Sequence, residues 1–265
     1  MKAAAENTSQ APVIVVDNLT ARFGENTILE GVSFTVNPGE ILVILGGSGC
    51  GKSTLLKHMI GLYQPAQGRV LIQGVNISID DEKLLRQVRM GFGVLFQSGA
   101  LFGSMTLGEN VGLPLNEYTD LSPAAIDLIV KMKLGLVNLS GYENHLPSEL
   151  SGGMQKRAGL ARAMALDPTI LFFDEPSAGL DPITSAELDI LIKSLNAGLG
   201  TTMVIVTHEL ESIFAVAHRV IMLDKSAKGI IAEGDPRDLQ AHSPDPRVLN
   251  FFNRRPAVTP KFKGS

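Results

Sequence analysis

The chain has 265 residues, with 23 Lys and Arg against 27 Asp and Glu for a formal net charge of −4, and 45% of it is apolar. That length buries a full hydrophobic core without staples, and the composition excludes fibrous, disordered and disulfide-scaffold classes. Mild acidity argues against broad nucleic-acid binding, which needs a basic face, so no nucleic-acid partner is expected.

Residues 1–12 read as a flexible N-terminus without the apolar segment of a signal peptide. No apolar run approaches the roughly 20 residues that cross a bilayer. The single cysteine, Cys50, cannot form an internal disulfide and fits a reducing compartment. The expectation is a cytoplasmic chain that reaches a membrane only through a partner.

From Val13 onward, three strand-like pieces come first: Val13–Ala21, Thr27–Val36 and Arg69–Asn76. They are joined by turns such as Asn37-Pro38-Gly39 and read as a small antiparallel sheet. The apolar runs Ile41–Leu45, Phe92–Leu95, Ile170–Phe173, Met203–Val206 and Val220–Leu223 alternate with helix-like stretches Lys52–Leu62, Gln155–Ala165 and Thr184–Ala197. Continuous β-branched runs between helices indicate a mainly parallel α/β sheet buried on both faces. Between about residues 97 and 161 the strand pattern gives way to helical spacing, read as an inserted α-helical subdomain. There Met105 to Asn110 opens one helix, and Ser122-Pro123 supplies an N-cap with proline at the next position. Residues 13–240 form one domain. Residues 241–265, with Pro244, Pro246, Pro256 and Pro260, are expected to be an extended C-terminal arm.

The strongest chemical signal is Gly46-Gly47-Ser48-Gly49-Cys50-Gly51-Lys52-Ser53, with Thr54 following. Its spacing is that of a P-loop, and it lies between a strand and a helix as a P-loop must. Glycines let the backbone wrap closely and aim N–H groups at phosphate oxygens, while the helix N-terminus adds a favourable dipole. Lys52 would neutralise the β- and γ-phosphates, and the Ser53 hydroxyl would ligate Mg²⁺. The competing reading, a glycine-rich turn with an incidental lysine, does not account for the flanking strand and helix.

Ile170 to Phe173 runs into two acids, Asp174 and Glu175, at the carboxyl end of a strand, where open α/β sheets place ligands. Asp174 would hold Mg²⁺ through water, and Glu175 would act as the general base toward the attacking water. Together these motifs predict a P-loop NTPase with a RecA-like parallel-sheet core. A third element, Leu150-Ser151-Gly152-Gly153-Met154, heads a helix and forms another anion site. A chain that already cradles one ATP has no need of a second cradle for it, so this one is assigned to the nucleotide of a neighbouring subunit.

The ordered set resembles the ATP-binding cassette (ABC) ATPases from about Val13 to Gly234. By that resemblance two chains close head to tail around two ATPs, each between one P-loop and the other chain's Ser151, Gly152 and Gly153. Gln97 would sense the γ-phosphate and Mg²⁺. Asp181, in Ser177-Ala178-Gly179-Leu180-Asp181, would organise the dimer seam, and His208 would position the water. Adenine stacking would fall to Phe23 where a tyrosine is usual, and Met154 replaces the commoner glutamine. Neither departure removes an anion-binding group.

Leu95 to Phe102, Gly179 to Thr184 and Ser243 to Val248 further resemble the ATPases of Mla/Mce-type lipid transport in Gram-negative bacteria. That resemblance implies a homodimer on the cytoplasmic face of the inner membrane, peripheral through an MlaE-like permease. The other implied partners are a periplasmic MlaD-like MCE protein, reached through the permease, and a small MlaB-like STAS-domain protein. The implied cargo is phospholipid, moved between the two membranes to maintain outer-membrane lipid asymmetry. Family likeness also places a groove for the permease near Ala100–Val111, and Phe251 and Phe252 are expected to dock on the other ATPase subunit.

Rival readings are weaker. A small-molecule kinase has no use for Leu150–Met154 or His208. A DNA-repair ABC protein needs a long coiled coil, and no sustained heptads separate Ser53 from Ser151. A translation-type protein carries two cassettes in one chain. An importer for an amino acid or an ion stays open as the alternative.

Overall fold

The computed structural model describes residues 11–79 and 81–255. The expectations for residues 1–10 and 256–265 therefore lie outside the described residues.

In chain order, β1 (Ile14–Phe23) and β2 (Asn26–Val36) form an antiparallel pair, followed by β3 (Ile41–Gly46) and α1 (Lys52–Met59). Next come β4 (Gln67–Ile72), β5 (Val75–Asn76), α2 (Glu82–Met90) and β6 (Phe92–Leu95). The helical segment contains α3 (Leu107–Tyr118), α4 (Pro123–Leu136), a 3-10 turn at Pro147–Glu149 and α5 (Gly152–Ala163). The chain then continues through β7 (Ile170–Asp174), α6 (Pro182–Leu199), β8 (Thr202–Val206), α7 (Leu210–Val216) and β9 (Arg219–Asp224). It ends in β10 (Gly229–Gly234), α8 (Pro236–His242) and α9 (Pro246–Phe252).

Two sheets result, in the orders β2-β1-β4-β5 and β10-β9-β3-β8-β7-β6. The first is antiparallel; the second is parallel except for β10, which pairs antiparallel with β9 and closes one edge. This is the α/β class expected, with the antiparallel sheet beside a P-loop core and the helical insertion between β6 and β7.

Alternation along the central strands divides the interior in two. Ile41, Val43 and Leu45 of β3 face one core with Leu171, Phe173, Met203 and Ile205, while Leu42 and Ile44 face the other with Ile170, Phe172, Val204 and Val206. Side chains on a strand point to opposite faces with period two, so β3 is apolar throughout because both its faces are covered.

Local chemistry explains where the elements differ from expectation. The stretch Arg69–Asn76 is two strands, because Gln73 and Gly74 both take positive φ (50° and 80°) in a tight hairpin turn. Helix α1 stops at Met59 rather than running to Leu62. Gly61 takes φ 69°, its N–H donates to His58 O and Leu62 N donates to Lys57 O, which together cap the helix. Helix α5 begins three residues earlier than expected, since the Ser151 hydroxyl accepts from Met154 N.

The expected extended arm is a correction. Asp235 and Asp245 each cap a short helix that opens with proline, so Pro246 starts α9 where the chain was expected to be extended. Phe252 is buried in its own subunit against Phe214, with ring centroids 5.7 Å apart, and so is not available to dock on a neighbour.

Candidate functional site

The P-loop hangs from the end of β3 because the strand is pinned from both sides by β8 and β9. Gly46 has φ 146°, and a Cβ there would meet Leu223 O at 2.3 Å and Cys50 Sγ at 2.7 Å. Only glycine allows the loop to leave the sheet at this angle. Lys52, the first residue of α1, folds back so that Nζ donates to Gly46 O at 2.9 Å and Gly47 O at 3.4 Å. The Ser53 hydroxyl donates to Asp174 Oδ1 at 3.2 Å, joining the loop to the end of β7.

Glu175 follows Asp174 with φ 48°, a left-handed conformation uncommon for a side chain of this size. Its N–H donates to Val206 O at 2.8 Å, which fixes the turn against β8. From the next loop His208 brings Nδ1 to 2.9 and 3.0 Å from the two carboxylate oxygens of Glu175. One residue earlier, Thr207 N donates to Ile44 O and the Thr207 hydroxyl accepts from Glu209 N at 3.1 Å, so the His208 backbone is held on both sides. Burial raises the Asp174 carboxyl above its usual range, and the charge of Glu175 adds to this. The Ser53 hydroxyl and the charges of Lys57 and Lys52 oppose the shift. Burial likewise pushes the Cys50 thiol up.

The P-loop, Glu175 and His208 line one cleft of about 780 Å³, whose wall is Gly46 to Thr54, Gln97, Glu175, His208, Ile28 and Phe251; Asp174 lies behind this wall, reached through its hydrogen bond from Ser53. The dimensions suit a nucleoside triphosphate, and the loop supplies the N–H groups and the cation for its phosphates. Among the described residues no group of three His, Cys, Asp or Glu could hold a metal by itself. The Ser53 hydroxyl beside the Asp174 carboxylate is a hard-oxygen set that fits Mg²⁺ shared with phosphate oxygens.

Other predicted residues lie elsewhere on the chain. Phe23 is half exposed at the end of β1, edge-on to Tyr63 with centroids 5.5 Å apart, and does not line the cleft. Ser151, Gly152 and Gly153 open α5, and a Cβ on Gly153 would meet Thr184 Cγ2 at 2.4 Å, so this turn packs against the start of α6. Asp181 caps α6, accepting from Ile183 N and Thr184 N at 3.1 Å each. Neither the turn nor Asp181 belongs to the cleft lining of its own chain. Ile28 and Phe251 were not legible as cleft residues, since each arrives there through tertiary folding from the antiparallel sheet or from α9.

Residues 29–178 match the family model described as "ABC transporter". The chain is 44% identical over 254 residues to a Mycobacterium tuberculosis protein named "Probable ribonucleotide transport ATP-binding protein mkl", covering 96% of this chain and 70% of that one. It is 43% identical over 246 residues to the intermembrane phospholipid transport system ATP-binding protein MlaF of Escherichia coli K12, covering 92% and 90%. Among solved structures, a dimeric ATP-binding cassette in a post-hydrolysis state with ADP and Pi superposes with a TM-score of 0.76 at 32% identity, over 84% of this chain and 98% of that one.

Proposed function

The chain belongs to the ABC transporter family of ATPases, and on that premise we propose that it is the ATP-hydrolysing subunit of a membrane transporter whose cargo is phospholipid. The observation that carries the ATPase half is the shared cleft: P-loop, Glu175 and His208 face one space, with Glu175 and His208 already in hydrogen-bond contact. The lipid half rests on likeness to MlaF over nearly the whole length of both chains.

Phosphoryl transfer depends on positioning and electrostatic stabilisation. Lys52 and the N–H groups of Gly47 to Lys52 bind and orient the phosphates. Ser53 and Gln97, with Asp174 behind them, are the residues that would hold Mg²⁺, which would supply neutralisation of phosphate charge when bound. Glu175 takes the proton of the attacking water, and His208 fixes the carboxylate that does so.

The arrangement of the remaining motif residues supports a homodimer. Ser151–Gly153 sits at a helix N-terminus outside the cleft of its own chain, which suits it to the γ-phosphate bound by a second copy. The dimeric ATP-binding cassette that this fold superposes on supports the same assembly. Asp181 would lie at the seam between the copies. Ile28, in the cleft wall, and Phe23, exposed outside it, are the candidates for contact with the adenine face.

No helix among the described residues is long and apolar enough to cross a membrane, so attachment to the inner membrane would come through an MlaE-like permease. The exposed Phe102, in the segment after Gln97, is the candidate contact, whereas Leu107 and Val111 are core. An MlaD-like MCE protein and an MlaB-like STAS protein complete the proposed complex.

The test is purification of the tagged chain from membranes in mild detergent, with identification of the co-purifying proteins and bound small molecules. A permease with phospholipid supports the reading. A permease carrying ribonucleotide, amino acid or ion and no lipid overturns the cargo assignment.

A further inference from the structure

The loop between Glu175 and Asp181 is gripped from two helices by buried polar groups that the chemistry above does not use, and a third helix backs one of them. From α5, Lys156 is only 6% exposed, and its Nζ donates to Pro176 O and to Ala178 O, both at 2.6 Å. From α7, the Ser212 hydroxyl lies 3.2 Å from that of Ser177, which is 1% exposed. From α6, the buried Asp189 carboxylate engages Ser212 in turn.

Lys156 forms no ion pair among the described residues, although the charges of Glu209 and Glu175 act on it from a distance. Burying an ammonium group without a paired carboxylate is costly, and an apolar side chain of the same length would pack there more cheaply. What the ammonium supplies instead is geometry. Two carbonyls separated by one residue cannot both reach one nitrogen unless the loop turns around it.

Lys156 lies on the helix that Ser151 caps, and Pro176 adjoins Glu175. The two ends of this link therefore serve different nucleotides if the sites are shared between copies. We propose that Lys156 is a positioning residue: through the Pro176 and Ala178 carbonyls it sets the position of the Glu175 carboxylate and ties it to the Ser151–Gly153 turn. Engagement of that turn by the partner's ATP is thereby transmitted to the base of the chain's own site. The inference rests on the shared-site reading above.

The experiment uses the full chain, reading fluorescent-ATP affinity and steady-state turnover for Lys156→Met, Lys156→Arg and Glu175→Gln. Lys156→Met removes the donors and keeps the length; its kcat should fall on the order of tenfold to a hundredfold while nucleotide Kd stays within about twofold. Lys156→Arg, which retains a cation with several donors, should recover most of the loss. If Lys156→Met does not fold, Lys156→Leu, which also lacks donors, replaces it under the same expectation. Native turnover in the donor-less variant overturns the proposal, as does a joint loss of affinity and turnover that Lys156→Arg leaves unrepaired. Glu175→Gln separates the two readings: if it is inactive while Lys156→Met is native, only the Lys156 proposal falls; if Glu175→Gln is fully active, the assignment of the base falls.

Discussion

His208 Nδ1 lies 2.9 Å from Glu175 Oε1, across the gap between the ends of β8 and β7. The contact joins two loops that leave adjacent parallel strands, so any shift of one strand against the other is felt at the carboxylate.

Glu175→Gln keeps the size of the side chain and removes its basicity. Turnover should fall on the order of 10²-fold or more while ATP still binds. Lys52→Ala, by contrast, should lose ATP binding itself, because among the described residues no other side chain lining the cleft carries a fixed positive charge. Phosphate release and fluorescent-nucleotide titration distinguish the two variants. Native turnover by Glu175→Gln would remove Glu175 from the role of base.

Cys50 is buried within the P-loop, and its thiol is held above the ordinary range chiefly by that burial. The thiolate is the reactive form, so alkylation should be slow near neutral pH and accelerate as the solution becomes more alkaline. Complete modification should abolish ATP binding, since the sulfur sits where even a Gly46 Cβ would clash. Mass spectrometry of the adduct beside nucleotide affinity checks both; full labelling with unchanged affinity sinks the steric argument.

Asp189 is buried on α6 with its carboxyl pushed up to about 6, mainly by loss of solvent. An unfolded aspartate releases its proton near pH 4, so between about pH 4 and 6 the folded chain holds a proton that the unfolded chain has lost. This contribution to stability is greatest below that window and declines as pH rises through it. Asp189→Asn can still accept from Ser212 and carries no charge. It should raise unfolding free energy at pH 7.5 by about 1–3 kcal/mol, with a smaller gain at pH 5. Urea denaturation at both values decides; an equal gain at both removes the ionisation argument.

Phe252 is 2% exposed and packs against Phe214 and Phe251. Phe252→Ala should destabilise the chain by about 3–5 kcal/mol, the ordinary consequence of an aromatic cavity. Denaturation of the dilute chain measures this. Unchanged stability with weakened dimerisation would restore the inter-subunit role first expected of this residue.

The central strands were legible because burial on both faces makes them uninterrupted apolar runs, and the P-loop because its glycines serve backbone geometry at fixed spacing. The C-terminal helices were misread for a physical reason. Pro244 and Pro246 suggest extended chain by composition, yet Asp245-Pro246 is also a cap followed by a proline suited to the first helical turn. Lys156 was overlooked because a lysine on a helix reads as solvated surface; only the carbonyls of a loop twenty residues away reveal it as buried. The cleft positions of Ile28 and Phe251 depend on packing between distant segments, and no local spacing encodes that.

β3 belongs at once to both interiors, and it ends in the phosphate loop. A gene cut or circular permutation anywhere along this strand would therefore strip each fragment of a wall it cannot replace. Fragment-complementation reporters built from this chain should place their break in the exposed Asp120–Leu121 connection between α3 and α4 instead, leaving the strand and its loop in one piece.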